Sequence, residues 1–436
     1  MPARFPAVLP LTFQGKFLCF ILRILCAALA LFKGKEWERP IPNFEENPLR
    51  YRFRDLLYFA YKYYYRPPIQ AENQALEDYF HAQKLPFAKA EELQSCISIS
   101  VGGDLMPYSW ITKESCTQLW DKLGPWYFSS DIVFANLETP IAPSKKPGIV
   151  PEVMLSNMYF NGTEEMFHIF NGNGQYKGHD VLSTANNHSL DQGADGLIET
   201  LQFLDQKNIQ STGTQATEEK RIAIVEREGI RFAFVAATYC LNAIQIKEEE
   251  KHLVNLGDFN LPNCDLSELD KLVQEARAQA DVVLLSLHTG NAYQAYPSEH
   301  TTEIMHRIFE LCEPDAILGS HPHNPQAPEY YSYTGIKSGQ AKKGLCIYSQ
   351  GDFVAYDIFT WCHFHLGFKL YFSSDKSNPE LKHVEVYPSM MKQNKSKFQF
   401  VPVTGQSDSK EQDELQRFWK QHLSPSLSAH LAPSIG

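Results

Sequence analysis

DVLSTANNHSLDQG, residues 180–193, changes character halfway along its length. Its first part holds a short apolar run, Val181-Leu182-Ser183, suited to a strand. Its second part crowds Asn186, Asn187, His188 and Asp191 together. Turns use Asn, Asp and Gly because these residues hydrogen-bond locally and tolerate unusual backbone angles. Taken alone, the stretch is most simply a polar turn. A strand ending in Asn-Asn-His would nevertheless offer three polar side chains at one mouth, where metal and acid–base chemistry is commonly placed. The choice depends on whether the pattern recurs.

It recurs along the chain. Asp104 follows ISISVGG, Asn136 and Glu138 follow DIVFA, His288 follows DVVLLSL, and His321 and His323 follow AILGS. Between these runs, residues 193–208 carry Leu197, Leu201 and Leu204 at helical spacing. Residues 265–280 open with Asp265 and Glu268 at capping-box spacing and predict a helix. EHTTEIMHRIFELCEP predicts the next helix, and IAIV and FAFVAAT, flanking Glu228-Gly229, predict a hairpin. Strands and helices alternating at these lengths describe an α/β domain with buried sheet. In such a domain, sites assemble at the carboxyl ends of strands.

Five such loops could bring together carboxylates, amide oxygens and imidazoles. That mixture suits Mn, Fe, Zn or Co better than Ca or Mg, which prefer all-oxygen shells. Two ions about 3.5–4 Å apart can activate a water and stabilise charge developing on a phosphoryl group. Each loop singly has a plain structural reading: an Asp at a turn, an Asn cap, a core His with its bonds satisfied. Five in succession favour a site.

Composition sets the surroundings. The chain has 436 residues, 43% hydrophobic and 21% charged, as in a globular protein. A net charge of −11, with no basic run, argues against a nucleic-acid partner. An anionic substrate would need a local positive centre, which a metal can supply. Gly102-Gly103 lacks the spacing of a nucleotide-binding loop. The nine cysteines are scattered without a CxxC pair, which suits small core residues rather than disulfides or a zinc knuckle.

FLCFILRILCAALALF, residues 17–32, is apolar but is interrupted by Arg23 and is shorter than the roughly 20 residues that span a bilayer. Lys16 precedes it and Ala28-Leu29-Ala30 resembles a cleavage site, so residues 1–40 read as a signal peptide or short signal-anchor. An amphipathic or buried helix is the plain alternative. The expected location is the membrane or cell envelope, with the cytoplasm as alternative. Residues 41–95 form a helical, aromatic-rich extension in which RDLLYFAYKYYYRPP is stopped by Pro67-Pro68. Its tyrosines suit packing on the main domain, residues 96–372, or an interface. Residues 373–436 read as a polar extension with one helix, KEQDELQRFWKQHL, and a mobile Ser/Pro/Ala tail.

GGDLMP, SDIVFANLETPI, TANNHSLDQG, SLHTGNAY, GSHPHNPQAPE and YSQGDFV, in that order, resemble the bacterial capsule-synthesis CapA/PgsA (PGA_cap) family of the calcineurin-like metallophosphoesterase superfamily, over roughly residues 96–372. The resemblance implies a four-layer α/β/β/α sandwich of two mixed sheets flanked by helices. It implies one or two divalent transition-metal ions (Mn, Fe or Zn). It puts Asp104 and His323 on the first metal, Glu138 in the bridging place, and Asn187, His288 and His321 on the second. His188 takes the place of the imidazole that protonates a leaving oxygen, with Asp191 to orient it. There are departures. The superfamily's Asp-x-His becomes Asp104-Leu105-Met106, which removes an imidazole from the first metal. HWGxEY becomes HTGNAY, the histidine pair before Pro becomes Ser320-His321, and GNF becomes Gly351-Asp352-Phe353. The resemblance therefore implies a metal-dependent hydrolase, foremost a phosphoesterase, in capsule or poly-γ-glutamate-type polymer synthesis. Its substrate would be an anionic polymer or phosphoester. Amide hydrolysis or transfer on polyglutamate is a second possibility. A non-catalytic polymer-binding or export subunit, beside a membrane-bound synthase or export complex, is the third.

Overall fold

The computed structural model describes residue 10 and residues 12–433, apart from 155–157, 406, 408 and 424; the last residues of the tail lie outside this range. The strands are β1 (Cys96–Leu105), β2 (Ile132–Leu137), β3 (Val181–Ser183), β4 (Gln210–Thr212), β5 (Ala223–Arg227), β6 (Ile230–Thr238) and β7 (Val282–His288). They continue as β8 (Ala316–Ser320), β9 (Glu329–Thr334), β10 (Ala341–Ile347), β11 (Asp352–Val354), β12 (Phe364–Ser373), β13 (Leu381–Asn394) and β14 (Lys397–Pro402). One sheet runs β14-β13-β12-β1-β2-β3-β4, with β11 paired to β1; the other runs β5-β6-β7-β8-β10-β9. Both sheets are mixed. β1, β2 and β3 are parallel, as are β6, β7 and β8, while β12–β14, β5 and β9 add antiparallel edges.

The sheets pack face to face, with Phe134 of β2 and Phe234 of β6 stacked at 5.4 Å. Helix Gly193–Gln206 packs beside β4 and buries Leu197, Leu201 and Leu204, the spacing expected of its stripe; Leu204 joins the main core, and Leu197 and Leu201 pack with Leu190, Leu241, Leu253 and Val254. Helix Ser267–Arg277 covers the second sheet with Leu269, Leu272, Val273 and Ala276, and Glu299–Cys312 packs beside it. This is the α/β/β/α sandwich anticipated from the sequence. The β5–β6 hairpin turns on Glu228 and Gly229, both at positive φ (51° and 77°), the backbone that a two-residue hairpin needs.

Three local expectations are corrected. The helix read over 265–280 starts at Ser267 and no side chain caps it; Asp265 instead accepts bonds from the Ser267 N–H and hydroxyl. The Asx turn satisfies the carboxylate before the helix begins. Residues 381–402, read as polar extension, form β13 and β14 and continue the first sheet; buried positions alternate along β14, with polar side chains between them. The tail is packed as far as it is described. Leu427 and His430 are buried, and the Ala432 N–H bonds to Val386 O.

The apolar N-terminal run forms a helix over Phe13–Lys33, longer than the run itself and about 31 Å long at 1.5 Å per residue. Only Gly15, Cys19 and Cys26 are buried on it, whereas Phe13, Leu31 and Phe32 are more than 80% exposed, so it is not a core helix. Among the described residues it is the one helix long and apolar enough to cross a membrane. Helix Phe53–Tyr64 lies against it, with Cys26 Sγ 3.6 Å from Ala60 O and Arg54 paired to Glu36. Two of its tyrosines face the main domain, Tyr63 bonding to Asp357 and Tyr64 to Met154 O, while Tyr58 and Tyr61 pack on Trp37 within the N-terminal region.

Candidate metal centre

Register puts the polar residues side by side before any side chain is considered. Asp104 is level with Asn136 of β2 and with Asp352 of β11, and His288 of β7 is level with Ser320 of β8. Gly103 permits this closeness: a Cβ there would fall 1.9 Å from Gly351 O. The parallel strands of both sheets end on one edge, and the His321 N–H bonds across the gap to Asp104 Oδ2 at 3.2 Å.

Two groups of ligand-type atoms form there, each within 4.8 Å: Asp104, His323 and Asp352, and Asp104, Glu138 and His288. Asp104 and Glu138 are fully buried. Asp104 accepts from Asn136 Nδ2 at 2.8 Å, but neither oxygen of Glu138 has a hydrogen-bond partner. Burial raises Glu138 well above the usual carboxylate range, and the neighbouring Asp104 carboxylate raises it further. His288 Nδ1 meets Ser320 Oγ at 2.9 Å, and its Nε2 lies 3.0 Å from Asn187 Oδ1 and 3.5 Å from Glu138. Burial, then the neighbouring His321, holds His288 well below an ordinary histidine, so it is a neutral donor of a lone pair.

His323 pairs with Asp352 at 2.8 Å and lies 4.0 Å from Asp104. Burial pushes its pKa down, but Asp352 and Glu138 outweigh burial and lift it to about 10. Asp352 is pushed up to about 6, chiefly by burial. His321 and His323 both have positive φ (100° and 58°). Such strain in bulky residues marks a loop whose side-chain placement is over-determined by its surroundings. His321 Nε2 meets the Tyr239 hydroxyl at 3.1 Å, while its buried Nδ1 is unpartnered.

His188 stands one residue beyond Asn187. Its Nδ1 is 2.6 Å from Asp191 Oδ2, its ring stacks on Phe160 at 3.9 Å, and its Nε2 lies 3.4 Å from Asn242 Nδ2. A cavity of about 420 Å³ opens over the centre, lined on this side by Asn187, His188, His321, His323 and Asp352. All eight expected site residues thus gather at one edge. The grouping differs from the expected ligand set: the two groups share Asp104 rather than Glu138, Asp352 joins the first, and His321 falls in neither. Sequence reasoning missed Asp352 as a candidate, although the replacement of the family's Asn by Asp was visible. It also missed Glu46, which comes from the N-terminal extension. Glu46 is buried, paired to Lys62 at 3.1 Å, and 4.0 Å from His321 Nε2.

Buried carboxylates and imidazoles gathered at one edge of an α/β/β/α sandwich make a candidate metal centre. Residues 98–357 match the family described as "Bacterial capsule synthesis protein PGA_cap", and the chain belongs to it. It is 26% identical over 237 residues to "Capsule biosynthesis protein CapA" of Bacillus anthracis, covering 53% of this chain and 52% of that protein. It is 23% identical over 270 residues to "PGA biosynthesis protein CapA" of Bacillus subtilis (strain 168), covering 59% and 63%. The chain thus spans between half and two thirds of the length of these curated relatives. A hypothetical protein from Thermus thermophilus aligns at TM-score 0.38 and 16% identity, covering 67% of this chain and 98% of that one. The calcineurin-like phosphoesterase YfkN from Bacillus subtilis aligns at TM-score 0.38 and 12% identity, covering 77% and 98%. Structural likenesses this slight say nothing of substrate or activity.

Proposed function

We propose that this chain is a metal-dependent hydrolase of metallophosphoesterase type, acting as a phosphoesterase in capsule or poly-γ-glutamate-type polymer synthesis. Glu138 carries the proposal. A buried carboxyl group with no hydrogen-bond partner on either oxygen is costly; Asp104 beside it adds negative charge, His288 is held neutral, and the positive His323 is already paired with Asp352. A cation would satisfy Glu138, Asp104 and His288 together. The residues fit one or two divalent ions of the Mn, Fe or Zn kind: Asp104, His323 and Asp352 for one, and Glu138, His288, Asn187 and His321 for the other. When bound, such ions polarise a phosphoryl oxygen and lower the pKa of water.

The chain's own residues supply the rest. Asp191 holds Nδ1 of His188 and leaves Nε2 beside the cavity; when the ring carries a second proton, on Nε2, that proton can pass to a leaving oxygen while Nδ1 keeps its own. Phe160 holds the ring flat. The capsule setting follows the names of the two CapA relatives. The exposed apolar helix Phe13–Lys33 supports a cell-envelope location. One observation favours a non-catalytic binding subunit: buried Met106 stands where the superfamily's first motif has a histidine.

Metal analysis of purified protein, followed by assays on nitrophenyl phosphates and poly-γ-glutamate, tests these readings. Retained metal with phosphoester turnover that chelation abolishes supports the proposal. Turnover of polyglutamate alone supports amide chemistry. Metal without turnover supports the binding subunit, and absence of both overturns the metal centre.

A further inference from the structure

We infer that the phosphoester taken by this centre carries an apolar chain, as an amphiphile of the bilayer surface does; the inference rests on the phosphoesterase reading above. The cavity has two unlike ends. Its floor is the imidazole and carboxylate cluster. Its outer wall is apolar: Leu56, Phe59 and Ala60 from helix Phe53–Tyr64, facing Val150, Met154 and Met158. Among the described lining residues there is no lysine or arginine, while Glu46 and Asp357 add carboxylates. An extended polyanion would bring several charges against this wall with no cation to meet them, a juxtaposition that excludes a partner. A single anionic head held by the floor, followed by a hydrocarbon chain, fits both ends. Methionine walls adapt to a flexible chain because their side chains are unbranched and soft.

The wall's position agrees. The helix that supplies Leu56, Phe59 and Ala60 is the one against which Phe13–Lys33 lies, joined at Cys26 and Ala60. Leu56 lines the cavity yet is 51% exposed, which puts it at the mouth, one turn from the exposed Phe53. An amphiphile gathered near the apolar face of Phe13–Lys33 would reach the floor head first along this wall.

The test uses full-length, metal-loaded protein in lipid nanodiscs, with methyl, butyl and hexyl phosphate as ligands and empty nanodiscs as the control for partitioning. Dissociation constants come from calorimetry, and inhibition constants from nitrophenyl phosphate turnover. Each added methylene should tighten binding by roughly fourfold while it meets the wall. Leu56→Glu and Met154→Glu should flatten that dependence, and Leu56→Met should keep it. Equal affinity for the three phosphates, with turnover intact, overturns the amphiphile and leaves the phosphoesterase standing. Chain-length-dependent binding with no turnover of any phosphoester supports the amphiphile and overturns the phosphoesterase. An unchanged dependence in both Glu variants overturns the placement of the chain on this wall.

Discussion

His288 Nε2 lies 3.5 Å from Glu138 Oε1, so an imidazole at the end of one sheet faces a carboxylate at the end of the other. The same nitrogen is 3.0 Å from Asn187 Oδ1, and one N–H cannot satisfy both acceptors well. Three lone-pair donors converging on one point is the arrangement a cation resolves. Replacing His288 by Ala should weaken metal binding by more than the roughly 10–100-fold typical of residues outside the ligand shell. Glu138→Gln should do likewise. Competition with a fluorescent chelator measures both, and wild-type affinity in either variant would sink this half of the centre. His321→Ala should also release most of the metal; full metal content there would remove His321 from the ligand set.

The metal-free protein should lose stability as pH rises. Asp352 is raised from 3.8 to about 6, so its support is full below 3.8 and is lost by about pH 6. His323 is raised from 6.5 to about 10, so its support is full below 6.5 and drains away towards pH 10. Both trends run in the same direction. Metal binding demands deprotonated ligands and runs the other way. The rise in Tm on adding Mn²⁺ should therefore grow between about pH 5 and about pH 8. A constant or shrinking increment in a thermal melt would contradict the ligand roles of these two residues.

Lys62 and Glu46 are a buried pair that fastens the N-terminal extension to the main domain, since Lys62 also donates to Ala292 O and Glu46 accepts from the Ala292 N–H. Burial lowers Lys62 and raises Glu46, each against the pull of the other. Lys62→Met leaves a buried carboxylate without its partner and should cost about 3–5 kcal/mol. Adding Glu46→Gln to that variant should recover much of the loss. Urea unfolding of the wild type and the two variants measures this, and equal stability of the single and double variants would show that the charges do not act as a pair.

Much of the edge was legible because it is local. Asn187, His188, His288 and His321 each follow an apolar strand within a few residues, and the alternation of strands and helices predicts that such ends meet. Asp352 was harder, since its role depends on β11 lying level with Asp104 across a pairing of strands far apart in sequence. Glu46 was beyond reach for the same reason: no pattern in residues 41–95 says that one carboxylate folds back over His321. β13 and β14 were misread because polar side chains on one face diluted the hydrophobic run. The helix cap at Asp265 failed because the same spacing also serves an Asx turn.

The helix Phe13–Lys33 should hold the full chain on membranes. Its exposed face carries Phe17, Phe20, Ile24, Leu25 and Leu31, more apolar surface than an isolated soluble helix keeps in water. Full-length protein should sediment with membrane vesicles, and a chain beginning at Ile41 should remain in the supernatant. Equal partitioning of the two would assign that face to a protein partner rather than to lipid.

His188 and the ligand histidines differ in what their loss should do. His188 is held by Asp191 and Phe160 rather than by the carboxylates of the centre. His188→Ala should therefore keep its metal and its fold yet slow turnover by about 10²–10⁴-fold on phosphoesters with poor leaving groups. On a nitrophenyl ester, whose leaving oxygen hardly needs a proton, the loss should be much smaller. Asp191→Asn should act in the same direction, because a neutral amide no longer balances the charge of the doubly protonated ring that delivers the proton. Metal content, circular dichroism and a leaving-group series read the three properties separately. If His188→Ala loses its metal, the residue is a ligand. If the loss of rate is the same for every leaving group, it does not deliver the proton.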